Sequence, residues 1–371
     1  MNNHIIIFSI KLIGAVFIAE TIGRQSRPDY RCDDMTSQPS MPDAAATRSW
    51  PGVSVIMPVF KEEKHLAAAV RGVLEQDYPG EMEVVLAVAP SPDRTEAVAT
   101  ELAAADPRIR LVTNPSGRTP TGLNAALAAT RHDIVVRVDG HGELSPGYIQ
   151  RAIVLLEQTG AANVGGFMDT RGQTALERAV ASAMRSPFGM GVTPFRTGGQ
   201  EGPADSVYLG VFRREVLVRL GGFDEDFHRA QDWELNFRIR RNGGLVWFSP
   251  DLSVVYRPRS SLPDVAKQFY GTGGWRRHVM RRYPETATLR YLAPPGVVLL
   301  LMVGIGAGVV GVFGSAWLRL GWLAPLGYAG LLLAGGAMAS RGERGGTRLL
   351  TPIAMGTMHI SWGLGFLRGV R

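Results

Sequence analysis

Two short patterns in this 371-residue chain bring metal-binding and proton-accepting side chains to places where chemistry can follow. Asp139 and His141 follow the VVRV strand within the run DIVVRVDGH at 133–141. Residues i and i+2 at a strand end project to the same side, so a carboxylate oxygen and an imidazole nitrogen could hold one divalent cation there. Such a cation would neutralise a diphosphate. The same pair also reads as a solvated turn capped by Asp139. Further on, Asp232 and Glu234 lie in AQDWELNFRI (230–239), where a turn feeds a helix. Carboxylates in a first helical turn are favoured by the helix dipole, which accounts for both without any catalytic role. A third group is basic: Arg276, Arg277, Arg281 and Arg282, with Trp275 and Tyr283. It could hold a pyrophosphate or anionic headgroups, or mark membrane topology with aromatic anchors. Because it adjoins an apolar segment, no nucleic-acid partner is expected.

The elements that must position these residues follow from hydrophobic periodicity. VSVIMPVF (53–60), EVVLAVA (83–89), IRLVTN (109–114) and DIVVRVDG alternate with helical patterns at Glu62 to Glu75, Thr95 to Ala105 and Thr121 to Thr130. Strand, helix, strand, helix predicts an α/β domain with a mostly parallel sheet flanked by helices. In open α/β sheets ligands bind beyond the carboxyl ends of the strands, which is where Asp139 and His141 fall. The loop Gly198-Gly199-Gln200-Glu201-Gly202 lacks the Lys-Ser/Thr of a phosphate loop and reads as a mobile connection, which disfavours nucleotide-triphosphate hydrolysis. A single cysteine, Cys32, excludes both an intramolecular disulfide and a cysteine-cluster metal site.

The last third of the chain is apolar. No charge occurs from Tyr291 to Leu318, Leu320 to Ser340, or Leu349 to Leu367, and each stretch approaches the roughly 20 residues that cross a bilayer. Three spans are expected, with His359 as a hydrogen-bonded packing residue. The arginines before the first span and at 341–348 place residues 1–290 in the cytoplasm by the positive-inside rule. The apolar run Ile5 to Ala19, broken by Lys11, and a polar linker to residue 50 precede the domain. The expected organisation is therefore 1–50, an N-terminal segment; 51–288, the α/β domain; and 289–371, a membrane domain, together a multi-pass protein of the cell membrane.

Five motifs in order give the chain a resemblance. They are Pro58-Val59-Phe60-Lys61-Glu62-Glu63; Asn114 with Gly122-Leu123-Asn124-Ala125-Ala126; Val138-Asp139-Gly140-His141; Gly221-Gly222-Phe223-Asp224-Glu225; and Asp232-Trp233-Glu234-Leu235 with Arg238. In this the chain resembles the inverting family 2 glycosyltransferases with the GT-A fold over about residues 52–285, and most of all the succinoglycan-biosynthesis (ExoA-like) membrane glycosyltransferases. The resemblance implies that Asp139 and His141 hold Mg²⁺ or Mn²⁺ on the diphosphate of a nucleotide sugar, a UDP- or GDP-sugar, and that Asp232 is the general base. It implies a donor pocket of Pro58, Phe60, Glu62, Asp93, Arg118, Asn124 and Asp139, with Glu234, Trp275, Arg276 and Arg277 on the acceptor side. The implied reaction transfers one sugar, with inversion, to a lipid-linked glycan in exopolysaccharide or cell-envelope polysaccharide synthesis. A polyprenyl-phosphate sugar transferase and a non-catalytic membrane scaffold are the alternatives. The chain departs from the family pattern at Val88-Ala89-Pro90-Ser91, in place of Asp-Asp-Gly-Ser, and at Gln231, in place of glutamate. In place of Q-x-x-R-W it has Gln268 and Gly274-Trp275-Arg276-Arg277, which points to single addition rather than polymerisation.

Overall fold

Alternating apolar residues build the first half of the sheet. The structure is a computed structural model that describes residues 49–370. Its first elements are β1 (Val53–Val59), α1 (Leu66–Leu74), β2 (Met82–Val88), α2 (Thr95–Ala105), β3 (Ile109–Thr113), α3 (Thr119–Ala128) and β4 (Ile134–Arg137). These strands pair in parallel in the order β3-β2-β1-β4. Along β1, Val53, Val55, Met57 and Val59 pack against α1, while Ile56 faces the opposite layer with Val85, Ala87 and α3. Both faces are thus covered by helices, as parallel strands require.

The second half of the domain is β5 (Glu143–Leu144), α4 (Tyr148–Thr159), β6 (Asn163–Thr170), α5 (Ala175–Arg185), α6 (Pro187–Met190), α7 (Pro194–Thr197), β7 (Gly202–Pro203), β8 (Tyr208–Arg213), α8 (Arg214–Arg219), α9 (Gln231–Arg241), β9 (Val246–Tyr256) and α10 (Leu262–Arg282). The sheet continues β4-β8-β6-β9-β5, and β8 is antiparallel to both its neighbours. The parallel reading therefore holds for β1 to β4, and the whole sheet is mixed. The reason lies in the connection. After β6 the chain runs through α5 to α7 at the carboxyl end of the strands and re-enters the sheet from that end.

The remaining helices are α11 (Leu289–Phe313), α12 (Leu323–Ala339) and α13 (Gly346–Arg368), with a 3-10 turn at Ala316–Trp322 before α12. Among the described residues, α11 and the segment Ala316–Ala339 are long and apolar enough to cross a membrane. They form a hairpin whose close approach uses glycines: Gly308 lies under the Trp322 ring and Gly304 against Ala324. The stretch expected as a third span behaves differently. In α13 a stripe of Ala354, Met355, Met358 and Trp362 is buried in a core shared with Val180 and Met184 of α5 and Val265 and Phe269 of α10. Both ends of α13 are tied to the α/β domain, by Arg178 Nε to Thr347 Oγ1 at 3.3 Å and by Arg277 Nη1 to the Phe366 carbonyl at 3.2 Å. Thr347, Thr351 and His359 interrupt its apolar pattern, and His359 Nε2 bonds the Phe188 carbonyl at 2.9 Å, the packing role expected of it. The apolar segment at 5–19 and the linker through residue 48, with Cys32, lie outside the described residues.

Candidate active site

The floor of the site is set by Arg137, the last residue of β4, whose side chain is 3% exposed. Its Nη2 donates to Asp139 Oδ1 at 2.9 Å, and its Nη1 pairs with Asp232. Arg137 Nε is buried without a hydrogen-bond partner among the described residues. One guanidinium thus joins the strand-end aspartate to the aspartate at the start of α9. That helix begins abruptly because Ala230 adopts a left-handed conformation (φ 63°), which turns the chain so that Gln231 and Asp232 form the first turn. Such a conformation is costly for a residue with a Cβ and persists where surrounding contacts fix it.

His141 is held from the other side. Its Nδ1 lies 2.7 Å from Glu62 Oε1, and this bond is the main reason the imidazole pKa is raised above its ordinary value. Glu62 is itself anchored, its N–H donating to Thr95 Oγ1 at 2.8 Å, while the Thr95 hydroxyl donates to Asp93 Oδ1 at 2.6 Å. The Thr95 hydroxyl is also the largest influence holding the Asp93 carboxyl below the usual range. Asp93, Glu62 and His141 therefore form one chain of contacts from the end of β2 to the end of β4.

The predicted residues separate into two sets. Asp139, His141, Asp232, Trp275 and Arg276 line one cavity of about 1160 Å³. Pro58, Phe60, Glu62 and Asp93 lie at or just beyond the ends of β1 and β2, Phe60 being exposed with Lys61 over its ring, and Arg118 is the N-cap of α3. Three expectations are corrected. Asn124 spends its amide on the 221–225 turn, accepting from Phe223 N–H and donating to the Phe223 carbonyl, each at 2.8 Å, and donating to Glu225 Oε1 at 2.9 Å. Glu234 is fully buried, bound by Arg238 at 2.6 and 2.8 Å and by the Tyr283 hydroxyl at 2.8 Å, so it fastens α9 to the end of α10. Arg277 turns away onto the Phe366 and Leu367 carbonyls at the end of α13. Sequence reasoning missed Arg137, although a charged residue inside the apolar run VVRV was a usable signal. It also missed Arg196, Arg290 and Tyr291, which line the same cavity from α7 and the first turn of α11.

Asp139 and His141 fit a divalent cation that is shared with a substrate. A ligating imidazole is normally oriented by a carboxylate on its other nitrogen, which is what Glu62 does here. Among the described residues no group of three or more metal-binding side chains occurs. The remaining positions would fall to diphosphate oxygens and water, as suits Mg²⁺.

Residues 54–221 match the sequence family Glycosyl transferase family 2. The chain is 29% identical, over 85% of its length and 93% of the relative's, to the succinoglycan biosynthesis protein ExoA of Rhizobium meliloti (strain 1021). It is 23% identical, over 70% of its length and 82% of the relative's, to a dolichyl N-acetyl-alpha-D-glucosaminyl phosphate 3-beta-D-2,3-diacetamido-2,3-dideoxy-beta-D-glucuronosyltransferase of Methanococcus voltae. Among solved structures it is similar to the mannosyltransferase PcManGT of Pyrobaculum calidifontis, in complex with GDP-Man and Mn²⁺, with a TM-score of 0.56 and 22% identity over 85% of this chain and 87% of that one. The α/β domain thus has the GT-A fold, and residues 54–221 constitute a family 2 glycosyltransferase domain. The likeness to ExoA runs beyond that domain, over 85% of the chain.

Proposed function

We propose that the protein is a membrane-anchored glycosyltransferase that moves one sugar, with inversion, from a nucleotide-sugar donor to a lipid-linked glycan. The observation that carries this reading is the meeting of Asp139 and Asp232 on Arg137, at the floor of a cavity that reaches the first turn of an apolar helix. Asp139 and His141 would hold a Mg²⁺ or Mn²⁺ ion, which when bound would stabilise the charge on the departing nucleoside diphosphate. Asp232 accepts the proton of the acceptor hydroxyl as that oxygen forms its bond to the anomeric carbon. The bond from the anomeric carbon to the phosphate oxygen breaks, and its electron pair leaves with the diphosphate. One displacement of this kind inverts the centre. Arg137 keeps the two carboxylates in fixed relation. Pro58, Phe60, Glu62, Asp93 and Arg118 surround the nucleoside end.

Three likenesses support the reading: the donor and ion bound by PcManGT, the dolichyl phosphate substrate in the name of the Methanococcus relative, and the polysaccharide made with ExoA. The arginines at 276–290 and 341–348 favour a cytoplasmic catalytic domain at the cell membrane. The test uses membranes from cells expressing the wild type and Asp232→Asn, supplied with labelled nucleotide sugars and Mn²⁺. Lipid-extractable label should fall at least ~100-fold in the variant, the usual scale for loss of a general base. Equal labelling by both proteins would remove Asp232 from the chemistry and favour a lipid-phosphate acceptor. If no donor binds or labels lipid, the scaffold reading stands instead.

A further inference from the structure

Three guanidiniums gather at the membrane end of the cavity, each from a different element. Arg276 of α10 is 7% exposed, its guanidinium carbon 4.1 Å from the Trp233 centroid and 3.3 Å from that of Tyr291. Arg290 of α11 lies 4.5 Å from the same Tyr291 ring, and Arg196, half-buried over the Phe195 ring, lies within electrostatic range of Tyr208, Tyr256 and Tyr291. None of the three makes an ion pair with a described carboxylate, whereas Arg238, Arg240 and Arg241 on neighbouring α9 are each paired. Burial lowers the pKa of Arg196 and brings that of Arg276 down to about 10, the expected response of a desolvated cation, and for Arg276 it outweighs the attraction of Asp205.

Arg276 is buried and Arg196 and Arg290 are half-buried, and like charges held out of water without an ion-pair partner are unfavourable unless an anion completes them. The fork of arginine suits phosphate oxygens, and three such groups match an anion of more than one charge. The position adds a second constraint. Tyr291 opens the apolar helix α11, whose Leu289, Leu292 and Leu299 are exposed, so an anion here sits at headgroup depth with an apolar surface beside it. Trp233, which covers Arg276, is the next residue to Asp232, and both line the same cavity.

We propose that Arg196, Arg276 and Arg290, gathered round Tyr291, anchor the phosphate or diphosphate of the lipid carrier that bears the acceptor glycan. This rests on the reading that the acceptor is lipid-linked and names the part of it that this chain grips. The sugar hydroxyl then reaches Asp232 along the cavity, while the carrier chain leaves along α11.

The test uses the full chain in detergent micelles, with tryptophan fluorescence reporting on Trp233, Trp275 and Trp362, which line the cavity. The probes are geranylgeranyl diphosphate, inorganic diphosphate and a short-chain phosphatidylglycerol. Geranylgeranyl diphosphate should bind the wild type and bind at least tenfold more weakly to Arg196→Gln and to Arg290→Gln. Arg276→Lys, which keeps the charge and loses the fork, serves as a third variant if either glutamine variant fails to fold. Nucleotide-sugar binding in Mn²⁺ is measured in the same samples. Its retention alongside the tenfold loss supports the anchor, and its absence in the wild type counts against the transferase reading instead. Unchanged geranylgeranyl diphosphate binding in the variants overturns the proposal. Equal competition by inorganic diphosphate would show a soluble-phosphate site, and equal competition by phosphatidylglycerol a general headgroup site; either outcome also overturns it.

Discussion

A guanidinium shared by two carboxylates restrains both, and that is the position of Arg137 between Asp139 and Asp232. Removing it leaves two acidic groups at the floor of the cavity without their common partner. Arg137→Met should therefore cut sugar transfer by about 100-fold or more and destabilise the fold, since losing one member of a largely buried ion pair costs several kcal/mol and these carboxylates are only partly exposed. Arg137→Lys retains the charge but cannot reach both carboxylates in one plane. It should keep most of the melting temperature and lose most of the turnover, with the donor KM changing less than kcat. Transfer assays on both variants beside thermal melts check this. A lysine variant as active as the wild type would reduce Arg137 to a core cation.

Elements are locked by contacts that the motifs do not announce. Helices α10 and α13 touch backbone to backbone, and a Cβ at Gly365 would stand 1.9 Å from the Tyr270 carbonyl oxygen. Gly365→Leu should force the helices apart and cost about 1–3 kcal/mol or more, lowering the melting temperature by roughly 5 °C. A melting curve in detergent that does not shift would mean that α13 adds nothing to the domain. At the far end of the strands Glu83 joins β2 to the loop before β4. Burial alone would raise its pKa, but hydrogen bonds from the Ser54 hydroxyl, the Arg131 N–H and Arg110 outweigh burial and hold it below the usual carboxylate range. A folded pKa below the unfolded one stabilises above the unfolded value, about 4.3, and that stability is lost as pH falls through the folded value. Glu83→Gln should melt lower at pH 7, by about 1–3 kcal/mol, and show a shallower loss of stability below pH 4.3. Melting curves across that window separate the two proteins.

For the whole molecule, the decisive feature is that both ends of α13 rest on the α/β domain while the α11–α12 hairpin projects from it. Helix α11 has 25 residues, about 37 Å of rise against a hydrocarbon core of about 30 Å. At the hairpin tip Arg319 bonds the Gly311 carbonyl, and Trp317 is 81% exposed, as suits an interfacial anchor on the far side. We propose two crossings rather than three, with residue 368 on the same side as the catalytic domain. Single-cysteine variants Trp317→Cys and Arg368→Cys, with Cys32 replaced by serine, test this in spheroplasts. An impermeant maleimide should label the first and not the second. Labelling of residue 368 from outside would restore the third span.

The sequence by itself determined the parallel half of the sheet, the family resemblance and the apolar length of α11 and Ala316–Ala339, because each is written in local order: period-2 strands, motif residues in succession, and charge-free length. The same charge-free length predicts a third span as well. Asp139, His141 and Asp232, singled out from the sequence, all line the cavity. Sequence reasoning misassigned Asn124, Glu234 and Arg277, whose residue types suit a ligand as well as they suit the turn, the Arg238 guanidinium and the carbonyls they meet. Only the tertiary structure decided those partners, because they come from segments far apart in the chain. The same holds for the antiparallel entry of β8, fixed by where a connection runs, and for α13, whose apolar stripe is as well buried in protein as in lipid. The cluster of Arg196, Arg276 and Arg290 was least legible of all, since three helices contribute one arginine each and no local spacing records it.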